Sequence, residues 1–241
     1  MIKWMFKSSI PRSSRAAGLF TSPYTIVLAV FFASGFSALV YQVVWVEMLD
    51  KVFGVTTFAA SAVLGAYFGG LALGGYLGGT RAARRNGLRL YGVIEIALGL
   101  TAAVVPSLLA QLTDAYRALY PYMADRQILL IPVRFFLSCA VLLVPTTLIG
   151  MALPVLVRTL TNRYDEIGQR LPRLYGWNTF GSVLGALLTG YILIGFLGLR
   201  RTNAIAVVIN IAAGVVALFA SRSMSALDST SASDRSAASI P

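Results

Sequence analysis

Long apolar runs separated by short polar, mostly basic segments recur six times along the chain. About 20 apolar residues cross the ~30 Å hydrocarbon core of a bilayer. On that scale the pattern predicts membrane helices over residues 24–46, 58–79, 88–111, 128–157, 174–199 and 203–221. None of the runs alternates apolar and polar residues with a period of two, as an outer-membrane barrel strand would. A lipid-exposed open strand would also leave backbone groups unpaired. The reading is an all-α polytopic membrane bundle of six transmembrane helices. Residues 1–22 form a basic N-terminal segment, and the apolar run that follows exceeds the core of a signal peptide, so an uncleaved signal anchor is expected. Residues 222–241 are rich in Ser, Ala and Asp and read as a disordered tail.

A shift of 120 positions aligns residues 63–81 (VLGAYFGGLALGGYLGGTR) with residues 183–201 (VLGALLTGYILIGFLGLRR), with ten identities in 19 positions. With three helices per copy, the second copy must run upside down relative to the first. The pattern therefore predicts a 3+3 inverted repeat, as in many transporter folds.

Lys and Arg are unevenly distributed. Lys3, Lys7, Arg12, Arg15, Arg81, Arg84, Arg85, Arg89, Arg158, Arg163, Arg170, Arg173, Arg222 and Arg235 fall on one side of the six-span pattern. Lys51, Arg117, Arg126, Arg200 and Arg201 fall on the other, and Arg134 lies inside a span. Fourteen against five places both termini in the cytoplasm of a bacterial-type inner membrane. The formal charge of +11 thus reads as topology and attraction to anionic head groups, not as a nucleic-acid surface. The chain has no His and one Cys, Cys139, which removes His-based triads, His metal sites and an intramolecular disulfide; no metal or cofactor is expected.

Ionisable groups inside spans are costly and therefore informative. Glu95 and Arg134 are expected at depths about 10 Å apart. Two polar clusters follow as candidate substrate-binding groups. The inner cluster joins Glu95, Tyr91, Asn178 and Thr179; the outer joins Arg134 with Gln42, Glu47 or Asp50. A short interfacial helix is expected beyond residue 107, with Leu112, Ala115, Tyr116, Leu119 and Tyr120 at helical spacing. In the second run, Gly65, Gly69, Gly70, Gly74, Gly75, Gly78 and Gly79 form small-xxx-small pairs suited to close helix packing. In the fourth, Pro145, Gly150 and Pro154 predict a kink or break.

Several segments together resemble a known family: GFSALVYQVVWVEMLDKVFG (residues 35–54), TTFAASAVLGAYFGGLALGGYLGG, LRLYGVIEIALGL, VPTTLIGMALPVLVR and LYGWNTFGSVLGALLTGYILIGFLGLR. They look like the membrane, major-facilitator-like part of the fused spermidine-synthase-like proteins, over about residues 26–220. That resemblance implies half of a major-facilitator-like bundle that binds or moves a small cationic, polyamine-like metabolite. In the family the membrane part precedes an aminopropyltransferase-like domain; no Gly-rich strand-turn-helix fingerprint for such a domain occurs in these residues. The implied partners are the lipid bilayer, a separate soluble aminopropyltransferase-like subunit, or a second copy completing a half-size transporter; a structural anchor is the remaining alternative. Glu47 departs from the family, which commonly has a basic residue after the Trp of the first helix.

Overall fold

The computed structural model describes the backbone of residues 23–54, 57–81, 87–122, 127–160 and 164–237, so the expectations for residues 1–22 lie outside the described residues. Every element among the described residues is helical. In chain order they are α1 (Pro23–Phe53), α2 (Thr57–Arg81), α3 (Gly87–Leu119) followed by a 3₁₀ turn (Tyr120–Tyr122), α4 (Gln127–Leu160), α5 (Tyr164–Leu188), a π-helical turn (Thr189–Leu193) and α6 (Ile194–Ala237).

Five helical segments are long and apolar enough to cross a membrane: Tyr24–Phe53, Ala60–Thr80, Gly87–Tyr122, Ile128–Val157 and Leu171–Ser223. They carry large apolar side chains outward, with Phe68, Phe136, Tyr191 and Phe196 all more than half exposed. A water-soluble bundle would bury these rings; lipid tails cover them at no cost. The chain is a multi-pass membrane protein.

The last segment spans 53 residues, or about 80 Å if straight, more than twice the hydrocarbon thickness. It is not straight. Gly198 adopts φ 74°, ψ 168° inside α6, a backbone region essentially restricted to glycine. Contacts on either side show that the chain reverses there. Along α5, Asn178 donates to the Phe31 carbonyl (3.0 Å) and Ser182 to the Gly35 carbonyl (3.1 Å), so α5 runs parallel to α1. Along α6, Asn203 meets Trp45 while Asn210 meets the Glu95 carboxylate that Ser34 also holds, so α6 runs antiparallel to α1.

The same residue pairs fix the other directions. Tyr91 and Glu95 of α3 reach Val30 and Ser34 of α1 in parallel. In the closest seam, α2 lies parallel along α4, with Gly70 against Thr146, Gly74 against Thr147 and Gly150, and Gly78 against Met151 and Pro154. Each of these glycines faces backbone or Cβ-level atoms where a Cβ would not fit. Small residues let the two helices approach where no hydrophobic effect drives them together. Gly69, Gly75 and Gly79 take no part, having nothing within 4 Å, and Gly65 meets only the Phe135 ring.

Helix ends extend past the sequence pattern. α1 continues through Glu47, Asp50 and Lys51 because Glu47 and Lys51 pair along the helix (3.9 Å) and Leu49 and Phe53 remain buried. It stops at Gly54 (φ 82°), whose N–H caps the Asp50 carbonyl. The interfacial helix expected beyond residue 107 is a continuation of α3, which carries Pro106 inside it and buries Leu112 and Tyr116 while Ala115, Leu119 and Tyr120 are exposed. α4 carries no break at Pro145, Gly150 or Pro154. Thr146 and Thr147 donate to carbonyls one turn back, and Gly150 and Pro154 serve the seam with α2. An interruption that the sequence pattern did not mark lies at the π turn and Gly198. The backbone of α6 runs to Ala237, past the expected end at residue 221, through a stretch with neither Gly nor Pro to stop it.

The core has two apolar clusters stacked along the axis. One gathers Tyr41, Val44, Trp45 and Leu49 with Leu98, Val105, Leu142 and Ala206. The other gathers Val27, Phe31, Tyr91, Ile94, Val155, Leu156, Leu174 and Ala213. Between them lies a polar layer.

Candidate functional site

That layer is supplied by α1, α3 and α6, one turn from each. On α1, Ser34 and Ser37 separate Phe31 from Val40; on α3, Glu95 separates Ile94 from Leu98; on α6, Asn210 separates Val207 from Ala213. Ser34, Ser37, Glu95 and Asn210 are all buried, the last three completely.

Ser34 Oγ donates to Glu95 Oε1 at 2.6 Å, and Asn210 Nδ2 donates to Glu95 Oε2. Both partners are neutral, and no ion pair to Glu95 exists among the described residues. Tyr91, one turn before Glu95, packs edge-on against Phe31 (6.3 Å) and donates to the Val30 carbonyl at 3.3 Å. Three oxygens in or next to the layer have no hydrogen-bond partner among the described residues: Ser37 Oγ, Tyr41 Oη and Asn210 Oδ1.

The arrangement suits a carboxyl group that changes charge. With both Glu95 oxygens accepting, the geometry fits the anion. A neutral acid must donate from one oxygen, and two neighbours can receive that proton. The Ser34 hydroxyl can rotate to accept, and a flip of the Asn210 amide presents its unpartnered Oδ1 in place of Nδ2. The same Oδ1, with the carboxylate, also offers oxygens to a cation.

A second layer lies about 10 Å along the axis, seven residues further on α3 and seven back on α6. Trp45 Nε1 donates to Asn203 Oδ1 (2.9 Å), and Asn203 Nδ2 donates to the Ala102 carbonyl (3.0 Å). With both ends of its amide satisfied, Asn203 ties three helices together.

The expected inner cluster is half assembled. Glu95 and Tyr91 are neighbours, but Asn178 is held on another side of α1 by the Phe31 carbonyl, and Thr179 is exposed. The reason is rotational: Asn178 has the expected depth, whereas the face of α5 packed on α1 does not look toward α3. The expected outer cluster is replaced. Arg134 turns to α3, its Nε–H donating to Tyr116 Oη at 3.1 Å with the guanidinium 6.0 Å from the ring centre. Glu47 pairs with Lys51, and Gln42 and Asp50 stay on α1 without joining Arg134. Because α3 runs on to Leu119, Tyr116 lies 21 residues beyond Glu95, about 31 Å along the helix and not 10 Å. Arg134 therefore belongs to the rim of the bundle, not to its centre.

Ser34, Asn203 and Asn210 are the site residues that sequence reasoning missed. Two amides seven residues apart in an otherwise apolar run were the available signal, since that spacing puts both on one helix face. Comparison of the chain with protein-family models, curated proteins and solved structures finds no match.

Proposed function

We propose that the chain is a six-span membrane protein, built as two inverted three-helix halves, that binds a small organic cation at Glu95. The carrying observation is a completely buried carboxylate, deep in a membrane bundle, with only neutral partners. An uncompensated charge there costs several kcal/mol. A bound cation removes that cost, and so does a proton, so one can be exchanged for the other at the same oxygens. Entry requires α6 to part from α1 and α3, and the π turn with Gly198 supplies the joint at its root.

The reversal at Gly198 supports the sixth span. The repeat is supported by the packing partners: α1 pairs with α5 as α4 pairs with α2, and α1 with α6 as α4 with α3. The Lys/Arg bias supports cytoplasmic termini. The resemblance to the membrane part of spermidine-synthase-like proteins makes putrescine and spermidine the first cations to try, and an aminopropyltransferase-like subunit or a second copy of the chain the first partners to seek by co-purification in mild detergent.

The test is uptake or binding of labelled putrescine and spermidine by proteoliposomes containing the full chain. Wild type is expected to take up label and Glu95→Gln to lose it while melting normally. Equal uptake by both would refute the role of Glu95. A structural-anchor reading draws on the saturation of Glu95 by Ser34 and Asn210; it wins if Glu95→Gln lowers melting temperature and no cation affects either protein.

A further inference from the structure

We propose that the outer face of α5 carries a site for one anionic phospholipid, with the head-group phosphate on Arg173 and an acyl chain laid over Gly176, Trp177 and Phe180. This goes beyond the cation reading and does not depend on Glu95.

Residues 173, 176, 177 and 180 share one face of α5 and line a groove of about 330 Å³. Its floor is Gly176, where an added Cβ would meet nothing within 4 Å. Its apolar wall is a ring cluster: Trp177 and Phe180 each pack against Phe32 of α1, at 6.0 and 5.9 Å, and against each other at 6.4 Å. Trp177 and Phe180 remain about half exposed although three rings share the cluster. An apolar wall that open fits a hydrocarbon chain.

The polar end fixes the choice of lipid. Arg173 lies beside the start of α1, its guanidinium 5.9 Å from the Tyr24 ring centre, and no carboxylate pairs with it among the described residues. An aromatic ring leaves the guanidinium N–H donors free at their edges, and their fork matches phosphate oxygens. Tyr and Trp beside a cation near the start of an apolar span, here Leu171–Ser223, is the composition of the head-group zone. By sequence alone, the stretch 158–170 at the junction of α4 and α5 carries Arg158, Arg163 and Arg170 against Asp165 and Glu166, a net positive stretch of the kind that attracts anionic lipid if it is cytoplasmic. A zwitterionic lipid brings its own cation to the phosphate and loses most of this attraction.

Trp177 reports occupancy directly. In a Trp4→Phe background, the buried Trp45 is shielded and Trp177 faces the lipid. The full chain is reconstituted in phosphatidylcholine containing either brominated phosphatidylglycerol or brominated phosphatidylcholine, and quenching is followed against mole fraction. Phosphatidylglycerol is expected to reach half-quenching at about a five-fold lower mole fraction, the effect of one basic residue at an anionic surface. Arg173→Gln is expected to erase the difference, Arg173→Lys to keep most of it, and Gly176→Leu to reduce quenching by phosphatidylglycerol by filling the floor. Identical curves for the two lipids, or a preference that survives Arg173→Gln, would overturn the site. Loss of the preference when inorganic phosphate replaces chloride at matched ionic strength would also overturn it, by showing a free-oxyanion site.

Discussion

At Glu95 the chemistry of the partners determines what each substitution does. Glutamine keeps the shape and removes the charge: its carbonyl accepts from Ser34, and its amide donates to Asn210 Oδ1 once the Asn210 amide flips. Glu95→Gln is therefore expected to melt within about 1 kcal/mol of wild type, or higher, because burying an amide with partners costs less than burying a charge. Asn210→Leu is expected to lower stability by about 1–3 kcal/mol by stripping a donor from a buried carboxylate. Thermal melts followed by a thiol-reactive dye on Cys139, the only cysteine in the chain, measure both. If Glu95→Gln falls as far as Asn210→Leu, the carboxylate is holding structure and not charge. The sequence made Glu95 legible because an acid in an apolar run stands out. Its partners were not legible: depth follows from counting residues, but which faces meet depends on helix rotation, and Asn178 and Asn210 differ only in that.

Among the helices, close approach was readable as a property of α2 but not residue by residue. Seven glycines mark α2 as a packing helix, yet only the set at 70, 74 and 78 meets α4 too closely to admit a Cβ, because the four-residue spacing gives one stripe; Gly65 touches only the Phe135 ring, and Gly69, Gly75 and Gly79 look outward. Gly74→Leu is expected to destabilise by at least 1–3 kcal/mol, roughly the cost of overpacking, since it meets the Thr147 carbonyl and Gly150 Cα and neither can move aside. Gly69→Leu, pointing into open space, is expected to leave the melt unchanged. Equal effects from the two would mean that α2 packs through a different face. Pro145 and Pro154 sit within continuous helix, whereas the chain is interrupted at a positive φ of Gly198, one glycine among many in the sequence. Gly198→Ala is expected to cost about 1–3 kcal/mol through backbone strain alone. The readout is a lower melting temperature without any steric clash, since nothing lies within 4 Å of an added Cβ at that position.

For the whole molecule, the deciding quantity is how many times the final 53-residue segment crosses the membrane. A single crossing would leave about 50 Å of apolar helix outside the hydrocarbon, a burden no exposed surface helix sustains. It would also require α5 and α6 to be collinear, whereas the contacts of Asn178 and Ser182 run along α1 in one direction and those of Asn210 and Asn203 run back. Single cysteines at positions 173, 200 and 223 in a Cys139→Ser background separate the alternatives. With two crossings, positions 173 and 223 react with a membrane-impermeant thiol reagent from the same side and position 200 from the other. With one crossing, 173 and 223 react from opposite sides. The second pattern would remove the antiparallel contact between α6 and α1, and with it the means by which Asn210 reaches Glu95, so the same labelling experiment tests the buried site as well as the count of spans.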